Sequence, residues 1–245
     1  MSSSDPWASF EEAVERQAVY LHGPLPPGPG VCRICRSAAA EGFERCYPCA
    51  QQLRSSSLTA DAVVPISYAV KGTQHAHNLA SYKFTQPSQG AQRALVSLGL
   101  LFLYRHRVCL EDAAGGRFTQ LAVVPSTRAR PGPHPLQSLI GLRTSLPVAA
   151  VWSTGLYPPE DRQFHPDRFA VATAPARARV LLMDDTWTTG ARVQSLSHTL
   201  KSAGALSVVA VVLGRHVNPA HEGSKALAER VRKSPFDIGK CVLEG

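Results

Sequence analysis

Residues 180–190 read VLLMDDTWTTG. Four apolar residues run straight into two adjacent carboxylates, and threonine or glycine then fills four of the next five positions. An unbroken apolar run of this length suits a buried strand, here residues 180–183. The following segment, ARVQSLSHTLKSA at 191–203, has helical patterning and ends at Gly204, a residue suited to a C-terminal cap. A strand passing through a short polar loop into a helix is the repeating unit of α/β sheets, and the carboxyl ends of such strands are where open sheets bind ligands.

Similar apolar segments flank this one. Residues 62–68 (AVVPISY), 121–124, 147–151 and 207–213 (SVVAVVL) all have strand length, and 91–105 (AQRALVSLGLLFLYR) is a helix apolar over most of its circumference. A short helix fits within 132–142. Apolar strands alternating with helices predict an α/β domain with a doubly wound, mostly parallel sheet over residues 57–217. Ahead of it, residues 7–21 repeat Trp7, Phe10, Val14, Ala18 and Leu21 at helical spacing, and GPLPPGPG at 23–30 then interrupts regular structure. The chain divides into a helix and linker (1–30), a cysteine element (31–56), the α/β domain (57–217) and a tail (218–245). The polar, proline-marked residues 157–169 (YPPEDRQFHPDRF) read as a surface loop or a mobile cover over a site.

At 245 residues, with 44% hydrophobic and 18% charged residues, the composition is that of a soluble globular protein. No apolar run approaches the roughly 18 residues of a membrane span, and the N-terminal residues lack the pattern of a secretion signal. A cytoplasmic location with no membrane partner is expected. The net charge of +8 suits nucleic acid or a small polyanionic ligand.

Cys32, Cys35, Cys46 and Cys49 form two CxxC pairs within 18 residues. Two such turns supply four thiolates to one tetrahedral Zn²⁺, which ties together a segment too short for its own core. A cytosolic setting disfavours disulfides. The element carries few basic or aromatic residues, which favours a structural or docking role over a nucleic-acid contact. Cys109 and Cys241 read as ordinary packed or surface thiols, and His134 and His165 as solvated loop residues.

Two carboxylates at a strand end need hydroxyl donors or a hydrated divalent cation. Thr186, Thr188, Thr189 and Gly190 precede a helix start, where backbone N–H groups, hydroxyls and a closely approaching chain make a phosphate cradle. Sugar hydroxyls and a phosphate side by side describe a phosphorylated sugar.

VLLMDDTWTTG resembles the signature of the type I phosphoribosyltransferases, which bind 5-phosphoribosyl-1-pyrophosphate (PRPP). The resemblance implies that Asp184 and Asp185 take the ribose hydroxyls and that Thr186, Thr188, Thr189 and Gly190 hold the 5′-phosphate, with Trp187 at the variable position. The wider chain, from about Cys32 to Leu213, is similar to the ComF branch, which is associated with competence and DNA uptake and carries a four-cysteine zinc element. Tyr82-Lys83-Phe84 resembles its lysine motif and VVPSTR at 123–128 its pyrophosphate loop. This implies Mg²⁺ with PRPP, a nitrogen acceptor and release of pyrophosphate. Catalytic roles fall to Asp184, Asp185 and Arg128. Ser126, Thr127 and Arg128 would hold the leaving group, with Lys83 and Arg130 further out. Where that branch shows a basic run, this chain has ARPGPHPL at 129–136. The resemblance leaves room for a regulator that binds PRPP or a nucleotide without turnover, or for an accessory protein of DNA uptake; an oligomer is compatible with any of these.

Overall fold

The computed structural model describes residues 6–126, 134–173 and 176–244. The chain begins with α1 (Ala8–Gln17) and α2 (Tyr47–Ser55), then enters the sheet at β1 (Ala62–Val70). Three helices, α3 (Gln74–Ser81), α4 (Gln89–Arg105) and α5 (Arg107–Ala113), cross to β2 (Gln120–Val123). A short α6 (Pro135–Leu139) and a 3-10 turn precede an antiparallel pair, β3 (Val151–Ser153) and β4 (Phe169–Val171). The chain returns through β5 (Arg179–Trp187), α7 (Ala191–Ser202), β6 (Ser207–Val217) and α8 (Glu222–Arg232).

Four strands form one parallel sheet in the order β1-β6-β5-β2. Parallel strands are buried on both faces, and β6 is buried at every position but His216. Side-chain alternation splits β5 between two apolar layers. Leu181 and Met183 join α3, α4 and α6 residues such as Leu79, Leu98 and Leu136, whereas Val180 and Leu182 join Leu196 and Leu200 of α7. The mixed α/β architecture with a parallel central sheet agrees with the expectation from sequence.

Three departures matter. The strand expected at 180–183 continues to Trp187, because pairing with β6 persists through Asp184, Thr186 and Trp187, opposite Val212, Gly214 and Arg215. Residues 147–151 do not add a full strand. The Leu121 N–H donates to the Pro147 carbonyl at 2.9 Å and the Ala149 N–H to the Leu121 carbonyl at 2.8 Å, a single parallel bridge, and the chain then turns into β3. Residues 218–232, read as tail, include α8, whose Leu227, Ala228 and Val231 pack on Tyr68, Val70 and Val217. Among the described residues, no helix is long and apolar enough to cross a membrane.

Candidate functional site

The two aspartates do not emerge from a loop. Both lie within β5, and the alternation that separates Leu182 from Met183 gives Asp184 and Asp185 different surroundings. Asp185 is 4% exposed. Its Oδ2 accepts from the Tyr82 hydroxyl at 2.5 Å and from Lys83 Nζ at 2.6 Å, and His134 Nε2 stands 3.8 Å away. Tyr82 ends α3 and is fully buried. His134 caps α6, its Nδ1 accepting from the Leu136 N–H. Burial acts to raise the Asp185 pKa, but the charges of Lys83 and His134 and the hydrogen bonds from Lys83 and Tyr82 outweigh it, so the carboxyl stays below its ordinary range.

Asp184 behaves oppositely. Burial first, and then the charge of Asp185, push its pKa up to about 8, against weaker opposing effects from Lys83 and Arg192. Its Oδ1 accepts from the Asp185 N–H at 2.9 Å. One carboxyl of the pair is therefore ionised and the other is largely protonated at neutral pH, as two close carboxylates commonly arrange themselves. Neither caps α7: the capping position belongs to Gly190, with no side-chain cap.

Gly190 adopts φ +81°, a left-handed conformation that side chains other than glycine rarely take. The Trp187 ring lies directly beneath it and is 1% exposed. Trp187, at the motif's variable position, is thus the floor of the loop that starts α7. The Thr189 hydroxyl donates to the Arg162 carbonyl at 3.0 Å, and its backbone carbonyl accepts from Gln52 Nε2 on α2 at 2.9 Å. The Arg215 guanidinium, buried beside the strand end, donates to the Trp187 carbonyl at 2.8 Å.

These residues border a cavity of about 630 Å³. Asp184, Asp185, Thr186, Thr188, Thr189, Gly190 and Lys83 all line it. Lys71, Arg162 and Arg192 add positive charge, and burial, followed by the charges of Arg215, Arg162 and Lys71, lowers the His216 pKa and so keeps that ring neutral. Such a lining suits a ligand carrying several negative charges. Ser126 follows β2 and does not line this cavity. Thr127, Arg128 and Arg130 lie outside the described residues.

Residues 157–169 are more than a surface loop. The Arg192 side chain donates to the Pro159 carbonyl, and the His165 N–H donates to Ser195 Oγ at 3.0 Å, so the segment is fastened to the first turns of α7. His165, expected to be solvated, stacks on Tyr157 at 3.7 Å and pairs with Asp161 at 3.1 Å. Arg168 is 1% exposed and bonds Asp161 at 2.8 Å. The segment, bonded to α7 at these points, brings Asp161 and Arg162 to the cavity wall.

Sequence reasoning missed Tyr82 and His134 as partners of Asp185, and missed the Lys71-Gly72-Thr73 turn at the cavity edge. Gly72, at φ +90°, was the available signal for a tight turn at the end of β1. Asp185 lies 103 residues from Tyr82 along the chain, and no local pattern announces such a contact.

The cysteine element sits beside this site. Cys32, Cys35, Cys46 and Cys49 are all buried, with their sulfurs within 4.8 Å of one another. Cys35 and Cys46 Sγ are 3.6 Å apart, close to the ~3.8 Å that follows from four ~2.3 Å Zn–S bonds in a tetrahedron. Among the described residues none of the cysteines forms a disulfide. Cys46 caps α2 and Cys49 lies in its first turn, while Arg36 at φ +60° closes the turn that holds Cys32 and Cys35. The donor set can hold a structural Zn²⁺. Such an ion would fix the start of α2, the helix whose Gln52 reaches Thr189. The chain matches no protein-family model and no curated protein.

Proposed function

We propose that this cavity binds PRPP and that the protein transfers its phosphoribosyl group to a nitrogen acceptor, releasing pyrophosphate. The supporting observation is the convergence of an unequal carboxyl pair, Asp184 and Asp185, with the Thr186–Gly190 loop and the start of α7 on one cation-rimmed cavity. In this reading the two carboxyls take the ribose hydroxyls, since an ionised carboxylate accepts and a protonated one both donates and accepts. The threonine hydroxyls, Thr189 giving up its bond to the Arg162 carbonyl, and the first N–H groups of α7 take the 5′-phosphate. Mg²⁺, bound with PRPP, would supply positive charge to the pyrophosphate as it leaves. The pyrophosphate would reach beyond the cavity lining to Ser126, Thr127 and Arg128, the residues that the resemblance assigns to it, and bond cleavage ahead of nucleophile addition gives the sugar oxocarbenium character, so that holding both partners in place is the main task of the chain. Zinc at Cys32, Cys35, Cys46 and Cys49 has a structural role.

One observation favours a second reading. Asp185 already has Tyr82 and Lys83 on its carboxylate, so a ribose hydroxyl must compete with them. A regulator that reports PRPP or nucleotide binding by opening the Lys83–Asp185 pair would use the same contacts without turnover. Pyrophosphate release with Mg²⁺, PRPP and a panel of nitrogen acceptors tests the enzyme. PRPP binding without release under every acceptor selects the regulator.

A further inference from the structure

Outside the cavity lining, at the corner where α4 meets α5, a second cluster of metal-ligating side chains gathers. His106 joins the two helices, and Cys109 follows three residues later on α5. The segment after α8 returns to this corner and places Cys241 beside them; the three donor atoms lie within 4.8 Å of one another. Glu244 stands at the edge of this group, its Oε1 3.3 Å from His106 Nδ1. His106 and Cys241 are buried, at 2% and 7% exposure.

The spacing is informative. His106-x2-Cys109 and Cys241-x2-Glu244 are two turn-separated pairs, the same arrangement by which Cys32-x2-Cys35 and Cys46-x2-Cys49 converge. The second pair is closed by a backbone turn, the Glu244 N–H donating to the Cys241 carbonyl at 3.1 Å.

The chemistry of His106 sharpens the point. Its Nε2 lies 2.8 Å from the Ile238 carbonyl oxygen. A carbonyl only accepts, so Nε2 carries a proton, and in the neutral ring Nδ1 then presents a lone pair to the cluster. A backbone carbonyl on the far nitrogen is the usual support of a metal-bound histidine. Nδ1 and the Glu244 carboxylate stand 3.3 Å apart, a separation bridged by the ring's second proton in an imidazolium–carboxylate pair or, with the ring neutral, by a cation that both ligate.

We infer that His106 Nδ1, Cys109 Sγ, Cys241 Sγ and a Glu244 carboxylate oxygen form a second metal site, for a divalent cation of the zinc class. Two thiolates, one imidazole and one carboxylate are a tetrahedral set of borderline-soft donors, which selects Zn²⁺ over Mg²⁺ or Ca²⁺. A cavity of about 550 Å³ bordered by Pro24, Arg36, Pro235, Cys241 and Glu244 gives an ion a route in. The ion would pin the 238–244 segment to the α4–α5 corner. That segment also accepts from the cysteine element, Arg36 Nη2 donating to the Val242 carbonyl at 3.2 Å, so the two sites brace one another.

Metal content and cadmium NMR on the full chain, purified under reducing conditions, test this. Saturation with Zn²⁺ should give two ions per chain, and ¹¹³Cd²⁺ should give two resonances, that of the four-sulfur site downfield of that of the two-sulfur site. Cys241→Ser should remove one ion and the upfield resonance only, and Glu244→Gln should weaken the second site about tenfold or more while sparing the first. A single ion and a single resonance in the wild-type chain would overturn the inference whatever the variants do. So would a Cys109–Cys241 disulfide persisting under those conditions.

Discussion

Gly190 sits so close above Trp187 that a Cβ added at 190 would stand 2.0 Å from the indole. The glycine is required twice, by its φ of +81° and by the ring beneath it. Gly190→Ala should therefore cost about 2–3 kcal/mol of stability and shift the fluorescence of Trp187 as the loop lifts. PRPP affinity should fall with it. An unchanged melting temperature and an unchanged emission spectrum would show that the ring does not support the loop.

The raised pKa of Asp184 has a defined signature. Between the ordinary carboxylate range and about pH 8 the folded chain keeps a proton that the unfolded chain has released, so stability falls as pH rises through that window. Asp184→Asn removes the dependence and retains an oxygen for the Asp185 N–H. The variant should equal the wild type near pH 4 and exceed it by at least ~1 kcal/mol at pH 8. Thermal melts across that range check it, and parallel curves for the two proteins would refute the assignment.

Asp185 carries the opposite sign. Its depressed pKa contributes stability above the ordinary carboxylate range that is lost as pH falls through the folded value. Lys83→Met leaves the buried carboxylate with the Tyr82 hydroxyl and His134. The cost should be about 1–3 kcal/mol at neutral pH, shrinking toward acid as Asp185 protonates. Denaturant titrations at two pH values measure this difference, and a pH-independent cost would point to lost packing of the lysine stem instead.

The cysteine element should influence the cavity at a distance. Gln52 on α2 donates to the Thr189 carbonyl at 2.9 Å. Stripping zinc with a chelator should loosen α2 and weaken PRPP binding, and Gln52→Ala should reproduce a part of that loss with zinc retained. Full PRPP affinity in the stripped protein would separate the two sites functionally.

Much of this was legible in the sequence where one residue type repeats at one spacing. The β-branched run at 207–213 and the apolar circumference of 91–105 became β6 and α4, and CxxC pairs converged as their turns dictate. Strand length was underestimated at 184–187 because Asp184 and Asp185 are poor strand formers in isolation; pairing with β6 overrides that preference. The bridge at Leu121–Val148 falls short because the chain leaves β2 after a single pairing. His134 and His165 looked solvated because their partners, Asp185 and Tyr157 with Asp161, depend on how the loops close over β5 and α7. α8 was readable in principle: Leu227, Ala228 and Val231 keep helical spacing.

Binding of PRPP with Mg²⁺, measured by calorimetry on the wild type and on the Asp184→Asn/Asp185→Asn double variant with zinc content checked in both, tests the central claim. The expected result is saturable binding by the wild type and its loss in the double variant at unchanged zinc content. Equal affinity in the two proteins, or no binding by the wild type, would contradict it.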